Sequence, residues 1–126
     1  MKVYCGTDII EVERIKKAII STPKFKDKIF TASEISYAET KSDVIKYQHY
    51  AGRFAAKEAV YKSISAVFPH IALNEIEIIN DENCLNRPRV IIHNENFSSL
   101  AQNIQIDVSI SHIKEVAIAN AVTTLT

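Results

Sequence analysis

Three side chains in one short stretch have the chemistry to bind a phosphorylated ligand. Arg53, Glu58 and Lys62 all lie within Ala51-Gly52-Arg53-Phe54-Ala55-Ala56-Lys57-Glu58-Ala59-Val60-Tyr61-Lys62. On a helix, Glu58 and Lys62 stack one turn apart with Cβ atoms about 5–6 Å from each other, so both can face one ligand. Arg53, five residues earlier, is offset but long enough to approach neighbouring surface. A carboxylate there could hold a metal ion while the cations hold phosphate oxygens. Taken alone, the same spacing describes a surface Glu58–Lys62 ion pair, which is the simpler reading.

Two other groups could complete such a site. Asp8 follows Gly6-Thr7 at the end of a strand-like run. A hard cation such as Mg²⁺ takes only one or two protein carboxylates and fills its remaining positions with water and substrate phosphates, so Asp8 and Glu58 would suffice. An aspartate so placed also suits the cap of the following helix, the commoner role. In Ser109-Ile110-Ser111-His112, alternation puts both serines on one strand face with the histidine at its end, where they could bind phosphate or position a thiol-bearing ligand. With no supporting acid in view, a nucleophilic Ser-His pair is not expected, and a plain polar strand end accounts for the pattern as well. His49, His70 and His93 are scattered, which argues against zinc.

The elements that must position these residues are legible in outline. Residues 2–9 form a strand, and Val12, Ile15, Ala18 and Ile19 repeat at helical spacing before Pro23 ends the run. Thr31-Ala-Ser-Glu34 is a capping box and marks a helix start. A long helical pattern covers 43–68, interrupted only by Gly52, and small residues allow it close packing at the centre of the molecule. Residues 75–80 and 89–93 read as a hairpin around Asn83, Asn86 and Pro88, 94–103 as a short helix, and 105–111 with 116–123 as two closing strands. The expected architecture is one α+β domain spanning 1–126, helices first and a mainly antiparallel sheet after.

Composition narrows the function classes. With 126 residues, 47% hydrophobic and 24% charged, the chain can build a single ordinary core. No apolar run approaches the roughly 18–20 residues of a membrane span, and the amino terminus lacks a signal-peptide core, so the expected location is cytoplasmic with no membrane partner. Cys5 and Cys84 are expected to be buried thiols. Fifteen basic and fifteen acidic residues give zero net charge, which leaves no electrostatic footprint for nucleic acid. The charge is nonetheless segregated. Between Arg14 and Lys28 stand Arg14, Lys16, Lys17, Lys24, Lys26 and Lys28 against Asp27 alone, a ridge suited to an acidic partner or simply a solvated helix face. Phe25 is its one aromatic, a possible anchor or an ordinary core residue. No glycine-rich phosphate loop occurs, so side chains must do most of any phosphate binding.

Together these segments resemble the bacterial holo-acyl-carrier-protein synthases, the small 4′-phosphopantetheinyl transferases. Gly6-Thr7-Asp8-Ile9 with Glu11 and Arg14 is similar to the family's amino-terminal motif, and Phe30-Thr31-Ala32-Ser33-Glu34 to its second segment. Residues 51–62 resemble its signature helix, and Val108-Ser109-Ile110-Ser111-His112 with Lys114-Glu115 its final motif. Four motifs in the right order span nearly the whole chain.

The resemblance implies transfer of 4′-phosphopantetheine from coenzyme A to a serine of an acyl carrier protein, with release of 3′,5′-ADP. It implies Mg²⁺ on Asp8 and Glu58, catalysis by Glu58 and Lys62, and coenzyme A contacts from Arg53, Arg87, Pro88, Ser111 and His112. Carrier docking would fall to Arg14, Lys17, Lys24, Phe25 and Lys28, and the assembly would be a homotrimer with sites between subunits. The chain departs from the family in the loop 65–70, which has no glycine, in Leu85-Asn86-Arg87-Pro88 at the hairpin, and in Ile113 after the histidine. Those departures leave open an alternative, a non-catalytic carrier-binding protein with an impaired coenzyme A site. A Mg²⁺-dependent nuclease is the third possibility, opposed by the neutral charge.

Overall fold

The computed structural model describes residues 1–126. Strand β1 (Lys2–Glu11) is followed by helices α1 (Val12–Ser21), α2 (Phe25–Ile29), α3 (Ala32–Glu39) and α4 (Asp43–Ile64). The second half contains β2 (Ile76–Asp81), β3 (Arg87–Ile92), α5 (Glu95–Leu100), β4 (Ile104–His112) and β5 (Val116–Leu125). The α+β expectation holds, but the strands form two antiparallel sheets: β1-β5-β4 and the separate hairpin β2-β3. The first helices and strands fall near their expected places. The long helix ends at Ile64 instead of running to Phe68, and β1 continues to Glu11, so Asp8 sits inside the strand and not at its end.

Helix α4 is the axis of the molecule, buried on most of its circumference because sheets lie on two sides of it. Against β1-β5-β4 it presents Ala55, Ala56 and Ala59, which meet Val108, Ala119 and Ala121 in one cluster. Small residues on both sides let helix and sheet approach closely, and Gly6 is where this matters most. A Cβ there would collide with the Ala59 carbonyl. The absence of a side chain thus brings β1 against the middle of α4 and sets the height of Asp8 beside it. Lower down, the Ser63 and Thr123 hydroxyls bond at 2.7 Å in the buried interface.

On its other side α4 meets β2 through Ile76 and Ile78, with Phe97 of α5 closing the same cluster. A second cluster packs Val12, Ile15, Phe30 and Ala38 against Tyr50 and Ala51, which seats α1, α2 and α3 over the amino-terminal half of α4. The capping box forms as its sequence specifies: the Glu34 amide donates to Thr31 Oγ1 at 3.3 Å and the Thr31 amide to Glu34 Oε1 at 2.8 Å. Both cysteines are free and exposed, contrary to expectation. Cys5 alternates with Gly6, so its side chain takes the face of β1 turned away from α4.

Candidate active site

Register decides which strand residues face α4. Asp8 stands opposite Ala119 of β5, and Ala119 is buried under the helix, so the carboxylate leans toward α4 from the free edge of the sheet. There it meets Lys62, whose Nζ donates to Asp8 Oδ1 at 3.2 Å and to the Thr7 carbonyl at 2.9 Å. Asp8 does not cap α1, whose N-cap position is Glu11. The simple Glu58–Lys62 ion pair does not form either, because Lys62 is given to Asp8. Glu58 is half-buried on the same side of α4 and makes no ion pair. Partial burial holds its carboxyl above the usual range, the Asp8 charge adds to that, and Lys62 only partly offsets it. One ammonium therefore stands near two carboxylates and pairs with only one of them, Asp8. No third histidine, cysteine or carboxylate joins them, which suits a hard cation that keeps water ligands and does not suit zinc.

Arg53 is not part of this surface. It lies about 140° around the helix from Glu58, on the β2 side. Only 7% exposed, it donates through Nη2 to Asn80 Oδ1 at 2.7 Å. Asn80 in turn donates to the Tyr37 hydroxyl at 3.1 Å, and the Tyr37 ring packs against His49, tilted by 44°, with centroids 4.8 Å apart. These residues line a cavity of about 500 Å³ together with Asn86. His112, at the end of β4, is close enough to this pocket for its charge to act on His49. Arg53 and His112 thus both act on His49, whereas Arg53 and Glu58 are separated by the body of α4.

The hairpin residues occupy a third place. Arg87 and Pro88 open β3, and Arg87 pairs with Asp107 of β4 at 3.2 Å. Arg87 and Ser109 line a groove of about 1060 Å³ on the outer face of the sheet. This groove is open to solvent, and its one carboxylate, Asp107, is the one already paired with Arg87. Ser109 and Ser111 share the outer face, as alternation requires, with Ser111 and His112 both exposed. Leu85 and Asn86 turn the hairpin with φ of 56° and 58°, so the left-handed conformation expected of Asn86 is present and Leu85 adopts it too. No other non-glycine residue has positive φ, so the backbone of loop 65–70 has no need of the missing glycine.

On the basic ridge, Arg14, Lys17, Lys24 and Lys28 are exposed and make no ion pair, while Lys26 pairs with Glu39 at 3.7 Å. Phe25 is half-buried against Phe54, ring centroids 6.3 Å apart, and therefore belongs partly to the core. Of the four acidic residues between Asn74 and Glu82, Glu75 and Glu77 are engaged internally. Glu77 accepts from the Thr31 and Ser33 hydroxyls and contacts His93 at 3.1 Å, and Glu75 accepts from the Asn94 amide at 3.0 Å.

Sequence reasoning missed His49, Tyr37 and Asn80 as pocket residues. His49 stands four residues before Arg53, and that helical spacing was the available signal. The position of Tyr37 and Asn80 depends on how α3 and β2 pack, which no local pattern reports.

Comparison with known proteins is consistent with this arrangement. A family model described as the 4′-phosphopantetheinyl transferase superfamily matches residues 4–121. A holo-[acyl-carrier-protein] synthase of Ruminiclostridium cellulolyticum is 45% identical over 130 residues, covering 99% of this chain and 94% of the relative. Among solved structures, a Bacillus anthracis holo-(acyl-carrier-protein) synthase in complex with CoA (3′,5′-ADP) superposes with a TM-score of 0.79 at 31% identity, covering 98% of this chain and 96% of the other. A Helicobacter pylori holo-[acyl-carrier-protein] synthase in complex with coenzyme A gives 0.73 at 29% identity, covering 97% and 99%. With a family model and a relative both matched over nearly its whole length, this chain belongs to the 4′-phosphopantetheinyl transferase superfamily.

Proposed function

We propose that this protein transfers 4′-phosphopantetheine from coenzyme A to a serine hydroxyl of an apo acyl carrier protein. The observation that carries the reading is the pair Asp8 and Glu58, two carboxylates from distant parts of the chain brought together with Lys62 paired to Asp8 alone. The names of the relatives support the substrates, and the acidic pair supports the chemistry. In the transfer the serine oxygen forms a bond to the phosphorus next to the pantetheine arm. The bond from that phosphorus to the bridging pyrophosphate oxygen breaks, and 3′,5′-ADP leaves.

Asp8 and Glu58 fit a Mg²⁺ ion, since they offer hard oxygen ligands and an uncompensated negative charge. When held by Asp8 and Glu58, the ion would supply positive charge to offset the negative charge developing on the phosphoryl oxygens. Lys62 supplies a fixed positive charge beside the same oxygens. Glu58, its carboxyl raised above the usual range, is suited to accept the serine proton. Arg53 and His112 would hold coenzyme A phosphates, with Arg87, Pro88 and Ser111 along its path.

Those two sets of residues lie on opposite sides of one subunit: Asp8 at the β1 edge, and Arg87, Ser111 and His112 toward the β4 edge, with β5 between. A homotrimer in which the β1 edge of one copy meets the β4 edge of the next would bring them together. The outer sheet face offers Val3, Ile9, Ile118 and Val122, all exposed, as apolar surface for that contact. Arg14, Lys17, Lys24 and Lys28, with Phe25 beneath, would receive the acidic carrier protein. No helix is long and apolar enough to cross a membrane, and two free exposed thiols suit the reducing cytoplasm, where we place the reaction.

The test is mass spectrometry of apo carrier protein incubated with this protein, coenzyme A and Mg²⁺. The carrier should gain one phosphopantetheine, and no gain with any carrier of the host would refute the reading. Mixed trimers of Asp8→Ala and His112→Ala subunits should regain activity that each variant lacks alone. Without that recovery, both residue sets must act within one subunit.

A further inference from the structure

Of the four histidines, only His49 lines a cavity with a ring nitrogen that is buried and has no hydrogen-bond partner. An unpaired buried polar atom costs roughly 1–3 kcal/mol, and such a cost is recovered if a ligand supplies the missing bond. The rest of the pocket says what that ligand would be. Arg53 lies beside His49 in the same cavity, and the charges of Arg53, Lys41 and His112 all bear on the imidazole. Glu34 and Glu82 are the only acids lining it, and Glu34 is already engaged by Lys57 at 2.7 Å. Tyr37 lines the same cavity and packs against the imidazole with its ring tilted by 44°.

We propose that His49 is a ligand-facing residue of this pocket that takes up a proton when a phosphate monoester enters beside Arg53. Burial first, and then Arg53, Lys41 and His112, push the His49 imidazole down to about 4 in the free protein, so it is neutral near pH 7. A phosphate dianion offsets those charges and accepts a hydrogen bond from the ring, which favours the imidazolium. The proton comes from solvent, and no covalent bond changes. In family terms this makes His49 a specificity residue of this chain: it would favour coenzyme A carrying its 3′-phosphate over dephosphorylated coenzyme A. The inference rests on the proposed function's placing of a coenzyme A phosphate at Arg53 and His112.

Calorimetry of 3′,5′-ADP binding, run at pH 6.5 in buffers of different ionisation enthalpy, measures the protons taken up. His49→Phe keeps a ring against Tyr37, and His49→Gln keeps a polar group; neither titrates in this range. If binding restores the imidazole to its ordinary value, wild type should take up about half a proton more than either variant. The ligand's own ionisation and that of His112 cancel in the difference. Both variants should also bind 3′,5′-ADP roughly tenfold more weakly than wild type at pH 6. The gap should narrow above pH 7.5, and binding of 3′-dephospho-coenzyme A, which has no phosphate monoester, should be unaffected by either substitution. Equal proton uptake by all three proteins would overturn the role of His49 while leaving the proposed function standing. Failure of wild type to bind 3′,5′-ADP at all would overturn both.

Discussion

Lys57 and Glu58 are neighbours on α4, and the molecule treats them in opposite ways. The Lys57 side chain is fully buried, yet its ammonium is saturated: it donates to Glu34 Oε1 at 2.7 Å, to the Leu73 carbonyl at 3.0 Å and to the Ile76 carbonyl at 2.5 Å. Glu34 is equally occupied, accepting from the Ile78 amide at 2.8 Å as well as from its own cap. This pair locks α3, α4 and β2 together. Burial holds the Lys57 ammonium below the usual range, and the Glu34 charge works against that. One residue on, Glu58 has no partner, and its carboxyl sits near another of the same sign. A charge whose partners are all internal builds the fold, whereas one left short of partners at a half-exposed position is available to a ligand.

The sharpest way to break this contrast is on the structural side. Lys57→Met strands the buried Glu34 carboxylate and should cost about 3–5 kcal/mol of stability in chemical denaturation, whereas the double change Glu34→Leu with Lys57→Met should recover much of that. A loss under 1 kcal/mol for the single change would mean that the pair does not hold the junction. A smaller effect is expected on the basic ridge, which we propose receives the carrier protein. Arg14→Glu with Lys17→Glu should raise KM for the carrier about tenfold with kcat unchanged, and less at high salt. An unaltered KM would remove the ridge from the docking surface.

The smallest effect is a pH dependence of stability. Glu58 binds its proton more tightly in the folded chain than at its ordinary value of 4.5, so ionising it opposes folding. That penalty is absent below 4.5 and grows as pH rises through the window just above it. Glu58→Gln should therefore unfold at a slightly higher denaturant concentration than wild type at pH 7, and the two should converge by about pH 4. A variant less stable than wild type at pH 7 would show that Glu58 is paired after all.

Much of this arrangement could be read from the chain, and what could not has physical reasons. The capping box at Thr31 and Glu34 and the alternation at Ser109 and Ser111 are local patterns, and both appear as the spacing requires. The nearness of Asp8 to Glu58 came from resemblance, because only packing at Gly6 brings β1 to α4. Side-chain length does not bring Arg53 to the acidic pair, because five residues turn the helix by about 140° and place it on another side. Cysteine's usual preference for burial does not hold at Cys5, where alternation with Gly6 points the thiol outward. The two-sheet division was not legible, since a strand's own residues do not name its partner. Lys57 reads as one more surface lysine until α3 and β2 close over it.

The contrast between Lys57 and Glu58 is tested most directly by single-turnover transfer to apo carrier protein, followed by mass, with Glu58→Gln against wild type. The expected result is a rate lower by about 10²–10³ in a protein whose resistance to denaturant is not reduced. Transfer at the wild-type rate by a folded Glu58→Gln protein would contradict it, and Glu58 would then be only a surface carboxylate.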